Sequence, residues 1–371
     1  TCMGSNRSKL KKYNVVDLFC GVGGLTLGFD QTKRFNTIFA NDVDSDMCKA
    51  YKLNFPDTVI SDNSISNVDF KDIASKKKID IIIGGPPCQA YSTSGKRLLN
   101  DPRAVLFKEY FRAIKDLKPS LFIYENVKGL LSMGQGRLIN EIKELFLSQG
   151  YNLKLEVLNA ADYGVPQIRE RVFVIGVKQR KNFLFPKKTH HNNEGEDLFK
   201  KNYLTLEDAM SDLPRIPVNS QSKTYIKDPQ NNYQKLMRLK APSDLTEQES
   251  ANHGEKLLNA IKFLPEGGLK KSIPKKHRPK SGYANSYGRL WWKKPSTTIT
   301  RNFGTPSSAR CVHPLVDRAL TTREGARLQS FPDWFQFYGS RAKKNLQIGN
   351  AVPPLLANKI AKSVLQYLDK K

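Results

Sequence analysis

The chain has 371 residues, 39% of them hydrophobic and 26% charged, which fills one large domain or two ordinary ones and excludes wholesale disorder. Lys and Arg number 61 against 35 Asp and Glu, a formal net charge of +26 that favours a polyanionic partner, although a solvated lysine-rich surface would explain the same excess. No apolar run approaches the roughly 20 residues that cross a bilayer and no leader segment is evident, so no membrane is expected and the cytoplasm is the expected compartment.

Strand and helix signals alternate through the first half. Tyr13–Phe19, Thr37–Asp42, Val59–Asp62, Ile79–Gly84 and Leu121–Glu125 predict buried strands, and Asp44–Phe55, Ala104–Leu117 and Leu138–Gln149 predict helices with apolar spacing near 3.6. Tyr151–Leu158 and Arg171–Val177 add two strands too close together for an intervening helix, hence an antiparallel pair. Repeated βαβ units predict an α/β fold with a doubly wound, mostly parallel sheet, and ligands at the carboxyl ends of its strands. After about Lys178 the periodicity fades. From Lys178 to Thr300 there are 24 Lys/Arg and 12 Asp/Glu, which predicts a smaller, loop-rich basic domain. Pro353–Leu368 predicts a final helix.

The five cysteines, Cys2, Cys20, Cys48, Cys88 and Cys311, form no C-x-x-C pair, and the five histidines lack ligand spacing with them. Neither a metal site nor a disulfide framework is expected.

Several strand ends carry chemistry. DLFCGVGGL, Asp17 to Leu25, ends the first strand with glycines that let backbone approach a ligand, although many such turns only pack helix on strand. Asp42 ends the second strand, where a carboxylate can accept from ribose hydroxyls; its alternative is a helix N-cap, a duty that Asp44 or Ser45 could take instead. Asp62 ends the third. In GGPPCQAYS, Gly84 to Ser92, two prolines hold Cys88 beyond the fourth strand, which suits a nucleophile as well as an inert buried thiol. Glu125 ends the fifth strand in YENV, as an acid in an otherwise apolar run. Arg169 and Arg171, in QIRER, alternate onto one face and could hold a phosphate, a carboxylate or a ring carbonyl.

The ordered set DLFCGVGG, GGPPCQAYS, YENV, QIRER, RALTTREGARLQSFPD and QIGNAVPP resembles the cytosine-5 DNA methyltransferase family of bacterial and phage modification enzymes, from about Tyr13 to Leu368. Only the stretch from about Phe183 to Tyr287 escapes the match, and in that family it is the variable target-recognition region. The resemblance implies a Rossmann-like methyltransferase fold. It divides the chain into a catalytic and cofactor-binding domain, residues 1–182 plus 342–371, and a DNA-binding target-recognition domain, residues 183–341.

The cofactor implied is S-adenosyl-L-methionine, leaving as S-adenosyl-L-homocysteine. By this similarity Phe19, Gly21, Gly23, Gly24 and Leu25 line it, and Asp42 holds its ribose with Val43 against the adenine. Asp62 accepts from the adenine amino group beside Asn63. Pro87 and Leu106 touch the cofactor, and Asn350, Ala351 and Val352 close the pocket. Many relatives carry Glu where this chain has the shorter Asp42. Catalysis falls to Cys88, which adds to carbon 6 of a flipped-out cytosine, and to Glu125, which protonates or hydrogen-bonds ring nitrogen 3. Arg171 touches the base carbonyl and Arg169 helps hold the Cys88 loop. Gln89, Ser92 and Asn126 are expected substrate contacts, and Arg278, Ser281, Tyr283, Asn285 and Arg289 are expected to reach base edges or phosphates.

Double-stranded DNA is thus the expected partner, with a cognate restriction endonuclease as a further one; a monomer is expected. A tRNA cytosine methyltransferase on the same scaffold would use the same Cys88 and Glu125, but the long recognition segment and intact QIGNAVPP favour DNA. A silent DNA-binding homologue would typically have lost the thiol or the cofactor loop, and both are present.

Overall fold

The computed structural model describes residues 11–87, 105–179, 181–192, 201–280, 282–283 and 285–370, residue 105 by its backbone alone. Seven strands build one sheet: β1 (Tyr13–Leu18), β2 (Phe35–Asn41), β3 (Val59–Ser61), β4 (Ile81–Gly84), β5 (Leu121–Val127), β6 (Asn152–Asn159) and β7 (Glu170–Val177). Their order is β3-β2-β1-β4-β5-β7-β6. The first five run parallel. β7 lies antiparallel between β5 and β6, so the expected antiparallel pair is present and its second strand also joins the parallel sheet. The direction of strand order reverses between β1 and β4, which opens a crevice beyond their carboxyl ends.

Five helices follow the strands: α1 (Gly24–Asp30), α2 (Ser45–Asn54), α3 (Phe70–Lys76), α4 (Val105–Leu117) and α5 (Arg137–Ser148). The second half adds α6 (Leu206–Met210), α7 (Asn232–Arg238), α8 (Glu255–Ile261), α9 (Thr322–Leu328), α10 (Arg341–Asn350) and α11 (Pro354–Asp369). Among the described residues, no helix is long and apolar enough to cross a membrane.

The unbroken apolar runs of β1 and β4 follow from burial on both sheet faces. Val15, Ile81 and Ile83 pack with Phe29 of α1 and Leu356 and Ile360 of α11. Their neighbours Val16 and Ile82 point the other way, against Phe70 of α3, Tyr110 of α4 and Phe146 of α5. Full burial of one such side chain stabilises by about 1.5–3 kcal/mol, so the alternation locks the register.

α1 and α11 pack backbone to backbone at Gly28. A Cβ there would stand 2.4 Å from the Ala357 Cβ and 2.5 Å from the Asn358 nitrogen, and the Asn358 side chain donates to the Gly28 carbonyl at 3.0 Å. Gly28→Ala should therefore destabilise by about 1–3 kcal/mol through overpacking, although Ala favours a helix by up to about 1 kcal/mol over Gly. A urea midpoint at or above that of the parent would show that the two helices can separate freely.

Among the described residues, apolar packing runs across the expected boundaries at 183 and 341. One apolar cluster joins Val22, Leu27 and Tyr51 of the sheet half to Leu206, Tyr233, Leu290, Phe303, Phe331 and Ile348. A small satellite of Ala260, Ile261, Leu264, Ile273, Tyr287 and Val312 stands beside it.

Buried ion pairs hold the second half together. Arg327 reaches Asp333 through Nε and Nη2, both at 2.6 Å, and Asp212 at 3.1 and 3.2 Å. Arg323 donates to the Asp333 carboxylate at 3.4 Å and its carbonyl at 3.1 Å. Despite burial, the charge of Arg327 holds the Asp333 carboxyl below its ordinary range. Similarly, Arg318 and Glu324 pair at 2.7 and 2.8 Å, and the arginine overcomes burial to hold Glu324 at about 2.

Candidate active site

The crevice at the β1/β4 switch holds a cavity of about 540 Å³, the size of a small-molecule site. Its first wall is the turn after β1. Phe19 adopts φ +57°, Gly21 +53° and Gly23 +90°, left-handed values that cost a non-glycine residue about 1–2 kcal/mol and so mark Phe19. Gly24 lets the chain end close in: a Cβ on it would sit 2.3 Å from the Val352 carbonyl.

The second wall follows β2. Asp42 accepts from the Gly21 nitrogen at 2.9 Å and the Asp44 nitrogen at 3.0 Å. Asp44, not Asp42, caps α2, accepting from the backbone of Asp46 and Met47. Burial raises the Asp42 carboxyl, opposed by those backbone donors. Val43 is 73% exposed although apolar, and it lines the cavity. Gly21, Gly24, Leu25, Leu106, Pro87, Asn350, Ala351 and Val352 line it as well. Gly23 packs instead toward Tyr51 and Phe55. Asp62 and Asn63 are exposed, and the lining at this point is Ser64 and Ile65.

Asp17 is a lining residue that the sequence reading did not select as a site. It is 1% exposed. Its Oδ2 accepts from the Thr26 hydroxyl at 2.7 Å, and Oδ1 has no partner among the described residues. Burial raises its carboxyl to about 7 against the pull of Thr26. An acid within the apolar run YNVVDL was the available signal.

The third wall is β5. Glu125 pairs with Arg171 Nε at 3.3 Å, with 14% and 16% of their side chains exposed. Burial raises the Glu125 carboxyl, while Arg171 and then Arg169 pull it back. Burial likewise lowers Arg171, opposed by Glu125. A Cβ on Gly85 would meet the Glu125 carboxylate at 2.5 Å, so the acid lies directly against the turn after β4.

Asn126, expected to touch substrate, directs its amide into the chain, donating to the Pro86 carbonyl at 3.0 Å and the Tyr124 hydroxyl at 3.3 Å. It lines the cavity and clamps the turn that leads to Cys88. Cys88, Gln89, Ser92 and Ser281 lie outside the described residues.

Arg169 lines the cavity with Arg171, but its guanidinium donates to the Ile299 and Gly349 carbonyls, both at 3.0 Å. Those contacts fasten the segment returning from the second half to the end of α10. Burial lowers Arg169 to about 9, which leaves it charged at neutral pH.

Arg289, expected to read base edges, is corrected. It is 5% exposed. It donates to the carbonyls of Leu264 at 2.9 Å, His313 at 2.7 Å, and Ile261 and Val316 at 3.1 Å, and pairs with Asp317. All its donors serve the satellite core, so it cannot also meet a base. Arg278 is partly exposed, with Nε on the Ile273 carbonyl at 2.9 Å and Nη2 on that of Lys271 at 2.7 Å. Tyr283 is 81% exposed and Asn285 is exposed.

A mostly parallel seven-stranded sheet with this strand order is the Rossmann-like fold of S-adenosylmethionine-dependent methyltransferases. Residues 13–366 match the family described as C-5 cytosine-specific DNA methylase. The Type II methyltransferase M1.HphI of Haemophilus parahaemolyticus is 35% identical over 357 residues, 95% of this chain and 86% of that protein. M.DdeI of Desulfomicrobium norvegicum is 36% identical over 380 residues, 96% and 89% of the two chains. A candidate DNA modification methyltransferase encoded within an E. coli prophage has a crystal structure that superimposes with a TM-score of 0.76 at 27% identity, covering 97% of this chain and all of that one. A DNMT2 mutant from Spodoptera frugiperda, at TM-score 0.64 and 16% identity over 95% of this chain and all of its own, shares the fold. The chain belongs to the C-5 cytosine-specific DNA methylase family. It is a DNA cytosine-5 methyltransferase.

The cavity fits the methyl donor that family and fold imply. An unpartnered buried carboxylate oxygen on Asp17, the Asp42 carboxylate, which leaves the cap of α2 to Asp44, and an exposed apolar Val43 offer polar and apolar contacts on the right scale for an adenosyl amino acid.

Proposed function

We propose that the chain methylates carbon 5 of one cytosine within a fixed double-stranded DNA sequence, through a covalent adduct on Cys88, as the modification partner of a restriction endonuclease. The expected setting is the bacterial cytoplasm, with the chain acting as a monomer. The observation that carries this reading is the Glu125–Arg171 pair, at 3.3 Å, on a wall of the cavity that Asp42, Val43 and the Pro86–Pro87 turn also line. S-adenosylmethionine, when bound, supplies an electrophilic methyl group.

In this reading Asp42 holds the ribose and Val43 packs on the adenine. Ser64 and Ile65, in place of Asp62 and Asn63, border the purine. The target cytosine leaves the helix at a cost of a few kcal/mol of unstacking. The Cys88 thiolate forms a bond to carbon 6 while the C5=C6 π pair shifts onto carbon 5. Glu125 supplies a proton or hydrogen bond at ring nitrogen 3, so negative charge does not accumulate on the ring. Arg171 holds Glu125 and reaches the ring carbonyl. Once carbon 5 is methylated, a base takes its proton, the electron pair re-forms C5=C6, and the sulfur departs as thiolate. Base reading within residues 183–341 concentrates in the part supported by the satellite core, where Tyr283 and Asn285 are exposed.

Duplex DNA carrying 5-fluorocytosine blocks the final proton loss and should trap a denaturation-resistant complex with the parent chain. Cys88→Ala should give no such complex and no methyl transfer. Methyl transfer by Cys88→Ala at even a hundredth of the parent rate would overturn the covalent mechanism.

A further inference from the structure

The segment that returns from the recognition half to the cavity carries a side chain with no assigned task. Residues 296–299 lie alongside 166–169. Ser296 and Gln167 form a parallel bridge, the Ile168 nitrogen donates to the Ser296 carbonyl at 2.8 Å, and the Ile299 nitrogen donates to Gln167 Oε1 at 2.9 Å. Arg169 then grips the Ile299 carbonyl at 3.0 Å. Beyond this point the chain makes a tight turn, closed by Phe303 N–H to the Thr300 carbonyl at 3.1 Å.

Both ends of the turn are sunk in the core. Ile299 and Phe303 are each 1% exposed. Gly325 permits the Phe303 seat, since a Cβ there would meet its ring at 2.2 Å. Thr300, Arg301 and Asn302 between them are exposed. The turn also abuts the cavity: a Cβ on Gly349, a lining residue, would stand 2.4 Å from the Arg301 backbone nitrogen.

Several other cations of the described residues are already engaged. Arg171 pairs with Glu125, Lys128 with Glu170 at 2.9 Å, Lys344 with Glu247 at 2.7 Å, and Lys343 with Asp46 at 3.5 Å. Arg310 lies over the Trp291 ring at 4.3 Å and donates to two carbonyls. Arg301 has no hydrogen bond, ion pair or ring contact among the described residues.

A free guanidinium costs side-chain entropy to order, and a rigid pedestal beside a catalytic cavity gives it a fixed place to be used. We propose that Arg301 is a positioning residue that binds a backbone phosphate of the DNA strand entering the cavity, and so sets the register of the target nucleotide. The proposal rests on the DNA-methylating reading above. A phosphate contact positions without reading sequence, so Arg301 should matter equally on every DNA the chain binds.

The test uses the full chain, a fluorescein-labelled 30-base-pair duplex for binding, and unmethylated plasmid DNA with tritiated S-adenosylmethionine for turnover. Arg301→Ala should raise KM for plasmid DNA about 10-fold at physiological salt, the worth of one charge-assisted hydrogen bond. It should also flatten the slope of log Kd for the duplex against log salt by about 0.9, the share of one phosphate. Calorimetric affinity for S-adenosylmethionine should be unchanged, and Arg301→Lys should recover most of the salt slope. A slope and KM equal to the parent's would overturn the proposal, as would equal losses in Arg301→Ala and Arg301→Lys with the slope unmoved. A parent chain that leaves plasmid DNA unmethylated would instead sink the functional reading, while the duplex salt slope would still decide the role of Arg301.

Discussion

At neutral pH, Glu125→Gln should lower the rate of methyl transfer by about 10²–10⁴-fold, the range for loss of a positioned proton donor, while changing folding stability by no more than about 1 kcal/mol. The two effects separate because the carboxyl serves the substrate more than the fold. Burial raises Glu125 and the two arginines only partly compensate. A group whose folded pKa lies above its unfolded value stabilises in acid, and that contribution is lost as pH rises through the folded pKa. Gln does not titrate. The stability of the parent relative to Glu125→Gln should therefore be greatest near pH 4, below the ordinary unfolded glutamate value of about 4.3, and lower at pH 8. Loss of the charge opposite Arg171 acts in the other direction, but Arg171 keeps 16% of its side chain exposed and a bond to the Glu170 carbonyl at 2.8 Å. Urea melts at the two pH values, with single-turnover rates beside them, measure both effects. A fully active variant, or one that fails to fold, would show that Glu125 is a structural acid.

The second large effect concerns the fold. Asp333→Ala should cost about 3–5 kcal/mol, because it removes the partner of a buried charge and not merely a contact. Arg327 would lose both of its 2.6 Å bonds, Arg323 its carboxylate contact, and the Tyr225 hydroxyl its acceptor at 2.7 Å. Asp212 alone would then face Arg327 across 3.1 Å. Against a total stability of about 5–15 kcal/mol this is a large fraction. Asp333→Asn, which keeps the shape and one acceptor, should cost less. Chemical denaturation of all three proteins orders them, and a loss under about 1 kcal/mol for Asp333→Ala would mean that water can replace the carboxylate.

Much of this architecture is legible in the chain. Continuous apolar runs such as Ile81-Ile82-Ile83 identify strands buried on two faces, and all seven sheet strands lie where those runs predict, within a few residues. Two short helices of the sheet half escape a periodicity reading, as do α6 to α10 of the second half. α1 spans 7 residues with glycines at 24 and 28, chosen for close approach to Val352 and Ala357 and not for helix propensity. α3 also has 7 residues, too few for a clear moment. At the site, strand ends direct attention to Asp42 and Glu125, and motif order brings in residues 350–352 from the far end of the chain. Arg289 shows the limit. In a basic segment it resembles a DNA contact, and only the carbonyls at 261, 264, 313 and 316, brought together by the fold, turn it inward. Asp62 is a smaller case: the chain bends after β3 so that Ser64 and Ile65 face the cavity.

Bisulfite sequencing of DNA from cells that express the chain tests the central claim most directly. Conversion-resistant cytosines should appear at one position of one recurring sequence, and should vanish with Cys88→Ala. Full conversion throughout, or protected cytosines without a common sequence, would contradict a sequence-specific cytosine-5 methyltransferase acting on double-stranded DNA.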